Sequence, residues 1–187
     1  MNNEYQILLD EVRQHFVSVV WTHKIQEKQS DIYHEKYNKI EFANIFFSAL
    51  SASGILAAVF HDVAWIKILT ACISFASLFC AAYLKSFNLK EKEIINKNYA
   101  NKFAIIRNKL VHVIAEIRKK NKDVEEITSD YETILAEIND LFVNAPMTTS
   151  KAVNKARIAL NISMDYTNTD EEIDKFLPPS LRGRMEE

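Results

Sequence analysis

Residues 42–84 read FANIFFSALSASGILAAVFHDVAWIKILTACISFASLFCAAYL, and the polarity of this stretch decides the fold. Phe42 to Phe60 is 19 consecutive residues without a charge. After His61 and Asp62 comes a second apolar run, Val63 to Leu84, whose only charge is Lys67. At about 1.5 Å of rise per residue the first run reaches about 28 Å, close to the ~30 Å hydrocarbon layer of a bilayer. The stretch therefore predicts two transmembrane helices joined by a very short turn. The alternative is a hairpin buried in a large soluble bundle. That alternative needs an apolar wrapping around both helices, and the rest of the chain is too polar to supply one.

The composition agrees with a membrane hairpin carrying a helical polar part. Among 187 residues there are only 2 glycines and 3 prolines, few for sheets and tight turns but no obstacle to long helices. The formal net charge is −2 and the charges are interleaved, so no direct nucleic-acid binding is expected. Cys72 and Cys80 both fall in the second apolar run and read as reduced side chains in lipid or packing, not as a disulfide or metal pair. The start, MNNEYQILLDE, is acidic without a basic region and does not read as a secretion signal.

Charge also predicts topology, because lysine and arginine near short loops stay on the cytoplasmic side. Lys24, Lys28, Lys36 and Lys39 precede the first span, and Lys85, Lys90, Lys92 and Lys97 follow the second. The turn side offers only Lys67, which is near enough to the outer boundary to snorkel. Both termini are thus expected in the cytoplasm, with Trp65 at the outer interface and Tyr83 at the inner one. The organisation expected is residues 1–41 as N-terminal cytoplasmic helices, 42–84 as the hairpin (42–60 and 63–84), and 85–187 as a C-terminal cytoplasmic helical region.

The arms carry helical spacing. Tyr5, Leu8, Val12, Phe16 and Val19 predict a helix over 4–20, and the unbroken chain from Thr22 to Phe60 predicts a second one that enters the membrane. The second span is expected to run on past Leu84 toward Lys120. Beyond it, Phe103, Ile106, Leu110, Val113 and Ile117 alternate at three and four, as do Val124, Ile127, Tyr131, Ile134, Ile138 and Leu141. Such faces suit a coiled coil or an antiparallel bundle. Residues 119–123, KKNKD, are either a turn that reverses the chain or a solvated stretch of one long helix, the turn being favoured. Thr148, Thr149 or Ser150 is expected to cap a helix over about 149–164, and 170–176 to form a last short one. The fold class is all-α: a two-span transmembrane hairpin with long, coiled-coil-like helical extensions and a bundle.

No constellation for catalysis emerges. His34-Glu35-Lys36-Tyr37-Asn38 begins like the metalloprotease helix motif, but Asn38 stands where the second histidine is needed. His23 and Glu27, one turn apart, read as an ordinary exposed helix pair. With glycine only at 54 and 183, neither a phosphate loop nor a nucleophile elbow can be built. Glu125-Glu126 and Glu171-Glu172 read as solvated, helix-start charges. Neither an enzyme, a cofactor nor a metal site is expected.

The polar residues inside the spans do form a pattern. Asn44, Ser48 and Ser51 share one face of the first span, and Lys67, Thr70, Ser74, Ser77 and Ala81 one face of the second. Small polar residues let helices approach closely and hydrogen-bond, and Ala49/Ser53 and Gly54/Ala58 fit the same reading. The same faces would suit the lining of a water-filled path, which requires several copies because two spans cannot enclose a pore. Both readings stay open. The candidate oligomerisation residues are Phe103, Ile106, Leu110, Val113, Ile117, Ile127, Ile134 and Ile138.

A two-span hairpin with helical cytoplasmic arms, preceded by Trp21-Thr22-His23-Lys24-x-x-Glu27 and closed by Leu177-Pro178-Pro179-Ser180-Leu181-Arg182, resembles the SLATT domain, the two-transmembrane effector associated with SMODS and SLOG domains. The likeness covers nearly the whole chain. It implies a prokaryotic, anti-phage conflict-system effector that acts on the inner membrane together with a second-messenger synthase or nucleotide sensor of the same locus. The 187 residues carry no fused sensor segment, so the signal is expected to arrive through a partner or a ligand bound by the arms. The expected function is a homo-oligomer that permeabilises or depolarises the membrane. The reading from another class is a passive anchor or scaffold that recruits a partner through its arms. A soluble toxin that hides its hairpin until insertion is a third.

Overall fold

The computed structural model of the chain describes residues 2–60 and 63–166, and these form five helices. They are α1 (Asn2–Phe60), α2 (Ala64–Phe87), α3 (Leu89–Lys119), α4 (Val124–Asn144) and α5 (Ser150–Asn161). The helix expected over 170–176 and the closing 177–182 segment lie outside the described residues.

α1 is the axis of the molecule. Its 59 residues extend about 90 Å, enough to pass through the polar bundle and then cross a bilayer. The two helices expected over 4–20 and 22–60 are therefore one. The physical reason is the absence of any breaker: the first glycine is Gly54 and the first proline Pro146. Thr22, the expected start of the second helix, donates its hydroxyl back to the Ser18 carbonyl at 2.9 Å and stays inside the first.

The second span behaves differently. α2 does not run on toward Lys120 but stops at Asn88, which adopts the left-handed conformation (φ 47°, ψ 43°). α3 starts immediately, with the Lys92 amide donating to the Asn88 carbonyl at 3.0 Å. Asparagine is among the few side chains that tolerate this conformation, so one residue is enough to re-aim the chain. The exposed Phe87 and fully buried Leu89 on either side mark the change from membrane face to bundle core.

The bundle below packs α1, α3, α4 and α5. Leu8, Val12 and Val19 of α1 meet Phe103, Ile106, Leu110, Val113 and Ile117 of α3 and Ile127, Tyr131, Ile138 and Leu141 of α4. Tyr5, Phe16 and Ile134 pack against this core while partly exposed. The chain does reverse at residues 120–123. Lys120 closes α3 in the left-handed conformation, its amide donating to Glu116 O at 3.1 Å, and the Asp123 carboxylate accepts from the Val124 amide at 2.7 Å to start α4. Lys122 ties both helices through Glu116 (3.2 Å) and Asp130 (3.4 Å), and the Tyr5 hydroxyl anchors α1 on the Lys122 carbonyl at 2.9 Å. α5 is capped by Thr149 and rests on α1 through the buried alanines 152, 156 and 159.

Above the bundle the hairpin stands alone. Only 6% of the most apolar 18-residue window of each long helix is buried within the chain, and its outward aromatic and aliphatic side chains are exposed. Nothing in the described residues wraps these helices, so burial in a soluble bundle is not how the chain satisfies them, and two apolar helices of membrane-crossing length remain.

Candidate functional site

Two polar constellations stand out, one in the membrane hairpin and one at the top of the bundle. The first is the span pattern. Asn44, Ser48 and Ser51 of α1 turn toward Thr70, Ser74 and Ser77 of α2. The Ser48 and Ser77 hydroxyls meet at 2.7 Å, and Ser51 and Ser74 are hydrogen-bonded one step further out. Ser77 also donates to the Asn44 side-chain carbonyl at 2.8 Å. Thr70 donates to its own helix at Ile66 O (2.8 Å), and Ser74 to Thr70 O (2.9 Å). A helix can absorb such hydroxyls without leaving a bare polar group in lipid.

Gly54 makes the approach possible. A Cβ at this position would contact the Thr70 hydroxyl and stand 3.0 Å from its methyl carbon, so the two backbones pass here only because residue 54 has no side chain. Six of the seven residues singled out in the spans thus lie at one interhelical contact within a single chain. Lys67, one turn before Thr70, is exposed instead. The Ala49/Ser53 pair also lies on the exposed side, with the Ser53 hydroxyl donating to Ala49 O at 3.0 Å, whereas Gly54 and Ala58 are half-buried.

The residues expected to join copies sit elsewhere than expected. Phe103, Ile106, Leu110, Val113, Ile117, Ile127 and Ile138 are essentially inaccessible, and Ile134 is packed against them. The partner that the heptad spacing called for is supplied in cis by α1 and by the α3–α4 reversal. In this fold the seam is consumed by the core of one chain, so an assembly of intact bundles has to use other surfaces.

The second constellation centres on His23, Lys24 and Glu27, of which His23 and Glu27 read in sequence as an exposed helix pair. That expectation is corrected: His23 and Lys24 are buried, and Glu27 is half-buried. The Lys24 ammonium, its side chain 5% exposed, bonds both Glu27 and Asp165 at 2.8 Å. Tyr166 donates to Glu27 at 3.2 Å and stacks on His23 with ring centroids 5.3 Å apart. Lys24 and, from α3, Arg107 both lie over the Tyr166 ring, at 4.5 and 4.8 Å. These six side chains fasten the segment after α5 to α1 and α3 at once. The sequence signal was there in the Trp21-Thr22-His23-Lys24 run, but its partners Asp165 and Tyr166 are about 140 residues away and no local spacing connects them.

The electrostatics follow from this geometry. Burial, reinforced by the Arg107 charge, lowers His23 from 6.5 to about 4, so the imidazole is neutral at pH 7. Burial works against the charge of Lys24, but its hydrogen bonds to Asp165 and Glu27 outweigh this and hold the ammonium protonated well above its ordinary range. Burial likewise works against Glu27, and Lys24 wins there too, so its carboxyl is lowered. Tyr166 is raised, by burial and by the Glu27 charge.

Next to it, buried Gln26 and Gln29 pin the α4–α5 linker. Gln26 donates to Pro146 O at 3.1 Å, and Gln29 Oε1 accepts from both the amide and the hydroxyl of Thr149 at 2.8 and 2.9 Å. His34 is held by Glu93 (3.0 Å) and by Asn38 (2.9 Å), the residue that displaces the metalloprotease histidine. Among the described residues no group of three or more His, Cys, Asp or Glu is placed to hold a metal ion.

The sequence model of the SMODS and SLOG-associating 2TM effector domain family 4 matches residues 8–172, which contain both constellations. No curated protein sequence and no solved structure matches the chain significantly.

Proposed function

The chain belongs to the SMODS and SLOG-associating 2TM effector domain family 4, and from that premise we propose that it is a membrane effector of a prokaryotic conflict system. In this reading several copies assemble in the inner membrane with both termini on the cytoplasmic side. A nucleotide-linked signal, delivered by a synthase or sensor from the same locus, repacks the cytoplasmic bundle, and the coupled spans permeabilise or depolarise the membrane.

The observation that supports the coupling is the continuity of α1. The helix that carries Leu8, Val12 and Val19 in the bundle core, and His23, Lys24 and Glu27 in the ionic clasp, is the same rigid element that carries Asn44, Ser48 and Ser51 in the membrane. A rotation of α1 at the clasp turns the hydroxyl face away from α2 and toward a neighbouring copy. α2 is uncoupled from α3 by the left-handed Asn88, so one span is driven while the other is free to stay.

The test is inner-membrane potential, followed with a voltage-sensitive dye in bacteria induced to express the chain alone and with its genomic neighbours. Depolarisation before lysis, weakened by Ser48→Leu, Ser74→Leu and Ser77→Leu with assembly intact, supports an effector whose polar faces act in the membrane. A second reading, an anchor that recruits a partner through its bundle, is favoured by the hydroxyl contact, in which the serines of the two spans pair with each other within a single chain. A chain that stays in the membrane fraction and never changes the potential, even with its neighbours present, is a scaffold.

A further inference from the structure

The ionic clasp borders a cleft of about 480 Å³. α1 lines it with Phe16, Val17 and Trp21, α3 with Arg107 and Val111, and the chain after α5 with Tyr166. The bundle core takes Val12 and Val19 of α1 and Leu110 of α3 completely. Val17 and Val111 of the same two helices are exposed, and Phe16 and Trp21 are half-buried, so they belong to a second apolar face. Apolar side chains that converge on one cleft lose free energy when a matching surface covers them.

The two charges in the lining are not alike. Asp165 is held by Lys24 at 2.8 Å. Arg107 lies over the Tyr166 ring at 4.8 Å and donates to the Asn108 side-chain oxygen at 3.3 Å, and it forms no ion pair among the described residues. The cleft thus offers apolar surface beside a cation that no described carboxylate meets, which suits a partner both apolar and acidic.

Such a partner follows in the sequence. Tyr166, the last described residue, is itself in the lining, and residues 167–187 come after it. They bring Ile173, Phe176 and Leu177 at helical spacing, with Asp170, Glu171, Glu172 and Asp174 next to them. The seven steps from Tyr166 to Ile173 reach at most about 25 Å, whereas Phe16 to Trp21 covers only about 8 Å of α1.

We propose that Ile173, Phe176 and Leu177 fill this cleft in the same chain, and that the acidic residues beside them meet Arg107. A segment tethered at the cleft wall is present there at an effective concentration on the order of millimolar, which a free ligand or a second copy has to exceed. Seated in the cleft, the segment ties α1 to α3 next to the clasp and restrains the rotation of α1 on which the coupling depends. That consequence rests on the proposed function; the seating itself rests on the bundle alone, and the tests below read only the seating.

The test is disulfide formation in the full chain carrying Cys72→Ser and Cys80→Ser, purified in a neutral detergent and mildly oxidised. Phe176→Cys is paired with Val17→Cys and, separately, with Val111→Cys. The control pairs Phe176→Cys with Val143→Cys, an exposed residue of α4 outside the cleft. The expected result is a bond within one chain in about tenfold higher yield than the control for at least one cleft pair. Yields no higher than the control overturn the proposal. A bond that forms only between differently tagged copies also overturns it, and assigns the cleft to a second copy. Independently, Ile173→Ser/Phe176→Ser/Leu177→Ser in the otherwise unaltered chain should lower the melting temperature of the bundle by about 6 °C, because the three side chains lose a buried place. An unchanged melting temperature would show that they have none.

Discussion

The chain uses polar side chains to join helices in two places, and it uses opposite kinds. In the hairpin the contact is made of hydroxyls, one amide and a glycine, with no formal charge between Asn44, Ser48, Ser51, Gly54 and their partners Thr70, Ser74 and Ser77. At the top of the bundle the contact is made of a full ammonium, two carboxylates, a guanidinium and two aromatic rings. The reason is the surrounding solvent. In hydrocarbon an ionised group that loses its partner has no water to fall back on, whereas a hydroxyl can return to its own helix carbonyl, as Thr70 and Ser74 do. In the bundle, outside the spans, the half-exposed Glu27 and Asp165 let water reach the clasp ions when the contact opens. The hydroxyl contact can therefore slide at low cost. The clasp discriminates sharply between closed and open, which suits it to hold α1 in one setting.

The comparison can be broken most forcefully at Gly54. Gly54→Leu drives a side chain into Thr70 and should cost the hairpin contact about 3 kcal/mol. The yield of a disulfide between Ser51→Cys and Ser74→Cys, in a chain with Cys72→Ser and Cys80→Ser, should fall several-fold, and Thr70→Ala should restore part of it. An unchanged yield would mean that the backbones do not pass closely there. In the clasp, Lys24→Met leaves Glu27 and Asp165 facing each other without a cation. About 2 kcal/mol of bundle stability should be lost, less than for a fully buried pair because both carboxylates keep some solvent. Thermal unfolding followed by circular dichroism measures it, and a variant as stable as the parent would show that the clasp holds nothing.

Acid separates the two contacts more gently. His23 binds its proton at about 4 in the folded chain and at 6.5 when unfolded. Its contribution is therefore fully present above pH 6.5 and is lost as the pH falls from 6.5 toward 4, because over that range the unfolded chain takes up the proton first. Glu27, whose carboxyl is lowered, adds a further loss at still lower pH. His23→Gln should flatten the fall between pH 6.5 and 4 in bundle unfolding without moving the hairpin disulfide yield; a slope that persists in the variant would assign it to another group. The smallest effect is expected in the hydroxyl contact itself. Ser48→Ala with Ser77→Ala should weaken the hairpin by only about 0.6 kcal/mol per bond. A loss as large as that of Gly54→Leu would show that hydrogen bonding, and not close approach, holds the spans.

Much of this was legible along the chain. The spans, the reversal at 119–123 and the Thr149 cap are local events, governed by runs of apolar residues, by a lysine-rich turn and by a single hydroxyl. The core residues were legible as well, since helical spacing at Leu8, Val12, Phe103 and Ile127 marks a buried face whatever covers it. What covers it was not legible. A heptad face is satisfied equally by another copy or by a distant stretch of the same chain, and here α1 occupies it. The clasp was missed for the same reason: charge on a helix usually means solvent, and only the return of Asp165 and Tyr166 to α1 makes Lys24 an interior residue.

The sequence by itself determined the membrane hairpin, the all-helical class and the family, because 19 uncharged residues have no other stable solvent and because helix propensity and turn chemistry act over a few residues. Only the tertiary structure decided that α1 is a single helix shared by both halves, that the second span is broken at Asn88, that the two hydroxyl faces meet each other, and which charges are buried. Each of these depends on which distant segment reaches a given face first. That is settled by the competition among all the contacts of the folded chain and not by the residues on the face.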